Sequence, residues 1–267
     1  MLVALPFAWA SAQGKAKDDS TTTWTLEGNH GGYCIWYLAD PDLVRKLVPD
    51  NVTLAPAGDG AGLHAMVRRF VEDEPRLSQW IPGALCLGFF DSVSTGDRVM
   101  VRAKAGKPIV VAFSYLAAKG PLGVGEAGNY LVSLMSDSRQ LRDAGDNLGI
   151  DLDGIEVASR PHSEGSDPDV AIKVSGALIR WSGHPIGDGD VGMTREVSFG
   201  YGGRRKTDWL VRMEVAPGRT HPMVGALAVE ENGDLATVLK ASPLRAIGPE
   251  DDGGTVRLTF TNETHHR

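Results

Sequence analysis

The hydrophobic positions of this chain fall into short runs rich in β-branched and aromatic residues, and few stretches repeat at helical spacing. Thr23–Leu26 and Tyr33–Leu38 read as strands. Strand-like runs follow at Val52–Ala55, Leu63–Val71, Leu85–Phe90, Arg98–Ala103, Ile109–Leu116 and Tyr130–Met135. The series continues with Ile155–Ala158, Val170–Trp181 (the longest run), Arg195–Tyr201, Asp208–Val215, Leu235–Leu239 and Val256–Thr261. Two short helices interrupt it. In the first, Asp40 can cap, Pro41 suits the first position, Asp42 suits the positive end, and Leu43, Val44 and Leu47 form an apolar stripe that Pro49 ends. The second is expected from about Asp137 to Ala144, with Ser136 as its cap and Gly145 at its stop.

Roughly a dozen strands with two short helices predict a mainly β (α+β) fold, an antiparallel barrel-like or curved sheet. No strand alternates with a long helix, so a doubly wound nucleotide-binding fold is not expected. The glycines at 120, 123, 125 and 128 do not link a strand to a helix, and they read as a loop rather than a phosphate cradle.

The 267 residues, 42% of them hydrophobic, with 33 glycines and 15 prolines, suit one β domain over residues 23–267. Residues 1–22 stand apart. Met1–Ala12 is apolar and ends in a small-x-small pattern like the last part of a secretory signal, but it lacks the basic leading segment. It is either a truncated signal, implying a secreted or periplasmic protein, or an apolar arm of a cytoplasmic one. Lys15–Thr22 reads as a linker, and Asn51-Val-Thr and Asn262-Glu-Thr match the glycosylation acceptor pattern. No run of about 18 apolar residues occurs, so no membrane span is expected. A net charge of −7 argues against nucleic acid, and the cluster Arg204-Arg205-Lys206 reads as a solvated hairpin tip. Cys34 and Cys86 lie in apolar runs, where cysteine packs as a small hydrophobe, and the sequence leaves their pairing open.

Two ordered segments resemble acetoacetate decarboxylase. Tyr33-Cys-Ile-Trp-Tyr-Leu-Ala-Asp-Pro-Asp-Leu-Val-Arg-Lys-Leu-Val-Pro-Asp-Asn-Val-Thr-Leu54 is similar to that family's strand, aspartate-capped helix and second strand. Gly128-Asn-Tyr-Leu-Val-Ser-Leu-Met-Ser-Asp-Ser-Arg-Gln-Leu-Arg-Asp-Ala-Gly145 resembles its Gly-x-Tyr strand and short helix. The resemblance implies a small-molecule cavity. In the family, a desolvated lysine forms a Schiff base with a β-keto acid, within a Gly-Arg-Glu…Pro-Lys-Lys motif after the short helix. Here that stretch reads Gly145-Asp-Asn-Leu-Gly-Ile-Asp-Leu-Asp-Gly154, and no lysine lies between Lys119 and Lys173. The family's arginine falls near His30 and its glutamate near Ser114, so three site positions are replaced.

Each remaining candidate has a plainer reading beside its functional one. His30 could bind a carboxylate or act as acid or base, while Gly31 and Gly32 suggest an ordinary loop. Ser114 and Tyr115 are adjacent on a strand and point to opposite faces, so one of them should face the interior. Glu126, Asp151 and Asp153 supply carboxylates near the replaced motif, or form an acidic turn; Asp188-Gly-Asp190 reads as a turn. Trp36 is core or cavity-lining material. Lys173, Lys206 and Lys240 are the amines that could have taken over the lost role, with solvent as their default. No cofactor is called for, and no Cys/His spacing suggests a metal.

The catalytic assignment is therefore His30, Ser114 and Asp153, with Tyr115, Glu126 and Trp36 binding the ligand. The expected function is lyase, dehydratase or isomerase chemistry on an organic acid or ketone without a Schiff base at the family position. A non-catalytic binder of a small ligand is the alternative, and a decarboxylase with a relocated lysine the third. Self-association into a homo-oligomer is left open.

Overall fold

The longest strand, β1 (Thr22–Ala39), runs unbroken for 18 residues through Gly28-Asn-His-Gly-Gly32, where sequence had predicted a loop. It survives the glycines because β17 pairs with it from Thr22 to Gly32 on one edge and β3 takes up pairing from His30 onward on the other. The computed structural model describes residues 22–59, 65–95, 98–105, 107–119, 128–157, 169–174, 177–185, 190–191, 195–202, 208–216, 218–221, 223–231, 233–247 and 250–262. Residues 1–21 and the cluster at 204–206 lie outside them.

The remaining strands are β2 (Thr53–Leu54), β3 (Ile81–Phe90), β4 (Ser92–Thr95), β5 (Arg98–Arg102), β6 (Ile109–Lys119), β7 (Asn129–Ser136), β8 (Asp153–Val157) and β9 (Asp169–Val174). They continue with β10 (Ala177–Pro185), β11 (Asp190–Val191), β12 (Arg195–Gly202), β13 (Asp208–Val215), β14 (Arg219–His221), β15 (Met223–Glu231), β16 (Arg245–Ile247) and β17 (Glu250–Asn262). Along one edge of β1 lie β17 and then β16; along the other lie β4 and then β3. Beyond β3 come β6 and β7, and β7 pairs in parallel with β8 and β12.

The result is a large mixed sheet that curves without closing: of the two expected forms it is the curved sheet and not a closed barrel, and it includes parallel pairs beside the antiparallel ones. Helices supply cover instead. There are four among the described residues rather than two: α1 (Pro41–Val44), α2 (Ala65–Asp73), α3 (Arg139–Leu148) and α4 (Asp234–Ala241).

Two of the expected strands are helices, for the same reason. In α2, Val67, Phe70 and Val71 recur at helical spacing and pack against Leu38 and Leu77. In α4, Ala236, Val238 and Leu239 are buried while Thr237 and Lys240 face water. The run Val170–Trp181 is a hairpin, with Ala177 of β10 opposite Val174 of β9. Asp40 caps α1 as expected, accepting from the Asp42 amide at 2.9 Å. The cap of α3 is Ser138 rather than Ser136, and its stop is Gly149 at φ 80° rather than Gly145.

β3 and β6 are buried on both faces, which explains their near-continuous hydrophobic runs. Ile35, Tyr37, Leu85, Val110, Ala112 and Leu116 face one core, which α4 closes. Ala84, Cys86, Phe113 and Tyr115 face a second core with Phe199, Trp209 and Phe260. Cys34 and Cys86 sit directly opposite one another on β1 and β3 and form a disulfide.

Candidate functional site

Tyr37 on β1 and Ser114 on β6 are separated by the whole of β3, yet their hydroxyls meet at 3.2 Å. Gly83 makes this possible. It pairs with Tyr37 on one side and Leu116 on the other, and the tyrosine ring lies across it. A Cβ on Gly83 would stand 2.6 Å from ring carbons of Tyr37. Next to Ser114, the β6–β7 ladder carries a bulge: Ser114 faces Ser133, Tyr115 faces Leu131, and Val132 is the extra residue. The bulge turns Val132 and Ser133 toward the same space.

That space is a cleft of about 170 Å³ lined by Tyr37, Leu47, Ser114, Leu116, Val132, Ser133, Asp234, Leu235 and Val238. Its floor is the sheet, and its cover comes from α4 and the turn after α1. Asp234 stands in the first turn of α4 and pairs with Lys46 at 3.3 Å, both largely exposed. The interior is therefore apolar, with three hydroxyls inside and one carboxylate among the lining groups.

Burial pushes the Tyr37 phenol up from 10.0 to about 12, against the opposing effect of its hydrogen bond with Ser114. Tyr37 is thus a neutral group near pH 7. Either hydroxyl of the pair can donate; when Ser114 donates, the Tyr37 proton is free for a ligand. The raised pKa also has a consequence for stability. The folded state holds this proton more tightly than the unfolded chain, so the contribution is intact below about pH 10 and is lost as pH rises toward 12. Tyr130 and Tyr201, raised chiefly by burial, act in the same direction. The unfolding free energy from urea titrations should fall between about pH 8 and pH 12 by about 2–3 kcal/mol more in the wild type than in Tyr37→Phe. Parallel curves for the two proteins would show that Tyr37 titrates normally.

Of the residues assigned from sequence, Ser114 lies in the cleft. Tyr115 and Trp36 come together, edge to face at 6.2 Å, but on the opposite side of the sheet from Ser114. Tyr115 packs there against Phe199 and Phe113 at 5.1 and 6.3 Å. It belongs to the second core, because neighbours on a strand alternate faces. Asp153 is exposed at the start of β8, opposite Met135, and does not line the cleft. Asp151 holds Tyr201 through its backbone: the Asp151 amide donates to Tyr201 Oη at 3.0 Å, which donates to the Asp151 carbonyl at 2.9 Å. His30 lies at a bulge in β1, between Gly254 and Phe90, and its side chain is outside the described residues. Glu126 and Lys206 are also outside them. Lys173 and Lys240 are exposed on β9 and α4.

Sequence reasoning missed Tyr37, Ser133 and Asp234. None carries a local signal: Tyr37 is one aromatic in a strand full of them, and its role depends on a glycine on another strand.

No protein-family profile matches the chain, and no curated protein matches it in sequence. Among solved structures it is similar to the enduracididine biosynthesis enzyme MppR, complexed with the condensation product of pyruvate and imidazole 4-carboxaldehyde. That alignment has a TM-score of 0.50 at 13% identity and covers 98% of this chain and 96% of the other. An acetoacetate decarboxylase-like enzyme from Sphingomonas wittichii RW1 aligns at a TM-score of 0.47 and 12% identity, over 92% of each chain. Acetoacetate decarboxylase from Legionella pneumophila aligns at 0.45 and 12%, covering 90% of this chain and 84% of the other. A shared fold across nearly the whole of two chains follows from the first of these alone: the chain has the acetoacetate decarboxylase-like fold.

Proposed function

We propose that the protein takes a small organic acid or ketone into the cleft beneath α4 and acts on it as a lyase, dehydratase or isomerase without forming an imine. The observation that carries this reading is the Tyr37–Ser114 hydroxyl pair on an apolar floor, in a cleft with no lysine among its described lining residues. A protonated phenol aimed at a carbonyl oxygen polarises it and stabilises the negative charge that grows there as a neighbouring bond breaks. The low-polarity surroundings strengthen that hydrogen bond. The fold is hospitable to such compounds: MppR holds a pyruvate condensation product.

A non-catalytic binder is the second reading, favoured by the chemistry of the lining itself. Tyr37 stays protonated, Asp234 is engaged with Lys46, and the remaining groups are hydroxyls and hydrocarbon. Both readings require the same contacts, and turnover of a bound ketone separates them.

Borohydride treatment in the presence of acetoacetate or pyruvate, followed by intact mass measurement, is expected to leave the protein unmodified. A reduced adduct on any lysine would overturn the imine-free chemistry and restore a decarboxylase with a relocated amine. Tyr37→Phe should weaken binding by about tenfold, the value of one buried hydrogen bond.

A further inference from the structure

The cleft carries an asymmetry of charge that narrows its ligand beyond the reading above, on which this inference rests. Its polar atoms on the floor are the hydroxyls of Tyr37, Ser114 and Ser133, all uncharged. The one charged group lining it among the described residues is a carboxylate, Asp234. Lys46 is engaged with that carboxylate at 3.3 Å and does not line the cleft.

We infer that the cleft selects an uncharged carbonyl compound, a ketone, aldehyde or ester, and discriminates against the corresponding carboxylic acid. A bound carboxylate would lie against Leu47, Leu116, Val132, Leu235 and Val238, giving up its water with no cation among the described lining residues to face it. It would also meet Asp234, a like charge at the same opening. A neutral carbonyl incurs neither cost. Its oxygen accepts from Tyr37, with Ser114 as the donor behind, and its hydrocarbon body displaces water from the aliphatic side chains. A volume of about 170 Å³, below the range of drug-sized pockets, restricts the ligand to a small compound.

Lys46 and Asp234 then act as specificity-determining residues with opposite signs. Removing the lysine leaves the carboxylate uncompensated and should sharpen rejection of acids. Removing the aspartate frees the lysine and should relax it. A role confined to holding α4 against the turn after α1 would move affinity for neutral and charged ligands together.

The test compares methyl acetoacetate with acetoacetate, by ligand-observed NMR titration at about pH 7.5, on the full chain. Methyl acetoacetate should bind at least tenfold more tightly. Asp234→Asn should shrink that ratio at least threefold, Lys46→Met should enlarge it, and Tyr37→Phe should weaken the ester at least fivefold. Far-UV circular dichroism checks that each variant is folded. Acetoacetate binding as tightly as the ester, or a ratio that neither charge variant moves, overturns the inference while leaving the cleft as the binding site. Binding of neither ligand, or ester binding indifferent to Tyr37→Phe, overturns both.

Discussion

Replacing Cys34 and Cys86 together by alanine is expected to lower the stability of the protein by about 4 kcal/mol. The disulfide closes a loop of 52 residues. In the chain-entropy account, a cross-link of that span restricts the unfolded ensemble by about 4 kcal/mol. The folded state should tolerate its loss, because backbone pairing from His30 to Ala39 of β1 holds the two strands together without it. The loss should therefore appear as a lower urea midpoint, with a steeper transition from a more expanded unfolded chain. Set against a typical total of about 5–15 kcal/mol, the effect is large. Equilibrium unfolding of wild type and double variant measures it, and a difference below about 1 kcal/mol would show that residual structure restricts the unfolded chain about as strongly as the bridge.

The same bridge constrains where the fold keeps its full stability. Disulfides persist in oxidising surroundings and are reduced in most cytosols. Cys86 is 4% exposed but Cys34 is only partly buried, so the Cys34 side is the more open to a reductant. Protein refolded with and without reductant should thus differ in stability.

How much of this was legible in the sequence depends on the distance over which each feature is decided. The Asp40 cap, the Pro41 start and the β character of Ile109–Leu116 are local, and they appear where expected. The helices α2 and α4 were read as strands because short apolar runs fit both periods; the spacing of Val67, Phe70 and Val71 is helical, but the choice is made by the core they cover. The continuity of β1 through Gly28–Gly32 depends on β17, β3 and β4 pairing across it. At Gly28 the approach is so close that a Cβ would meet the Ser92 carbonyl oxygen. For the site, Ser114 was named because the family's glutamate falls near it; it faces the cleft while Tyr115 faces the second core, and nothing in one strand says which of its faces holds the cleft. Tyr37 could not be found at all without knowing that a glycine lies beneath its ring.

That dependence makes Gly83→Ala the sharpest test of the site. The new methyl group would stand 2.6 Å from Cε2 and Cζ of Tyr37 and 2.8 Å from its hydroxyl oxygen, closer than side-chain carbons approach one another. Tyr37 is 1% exposed, so the ring has no solvent to retreat into. Overpacking of this kind costs about 1–3 kcal/mol, and breaking the buried bond to Ser114 adds about 1 kcal/mol. The expected loss is therefore about 3 kcal/mol, together with at least a tenfold loss of ligand affinity. The two effects have separable causes. Adding Tyr37→Leu to Gly83→Ala removes the ring that clashes and should recover most of the stability, yet binding should stay lost because the hydroxyl is gone. If binding returned with stability, Gly83 would matter only for packing, and Tyr37 would have no part in holding the ligand. If neither returned, the strand pairing around Gly83, rather than the space above it, would be what the glycine protects.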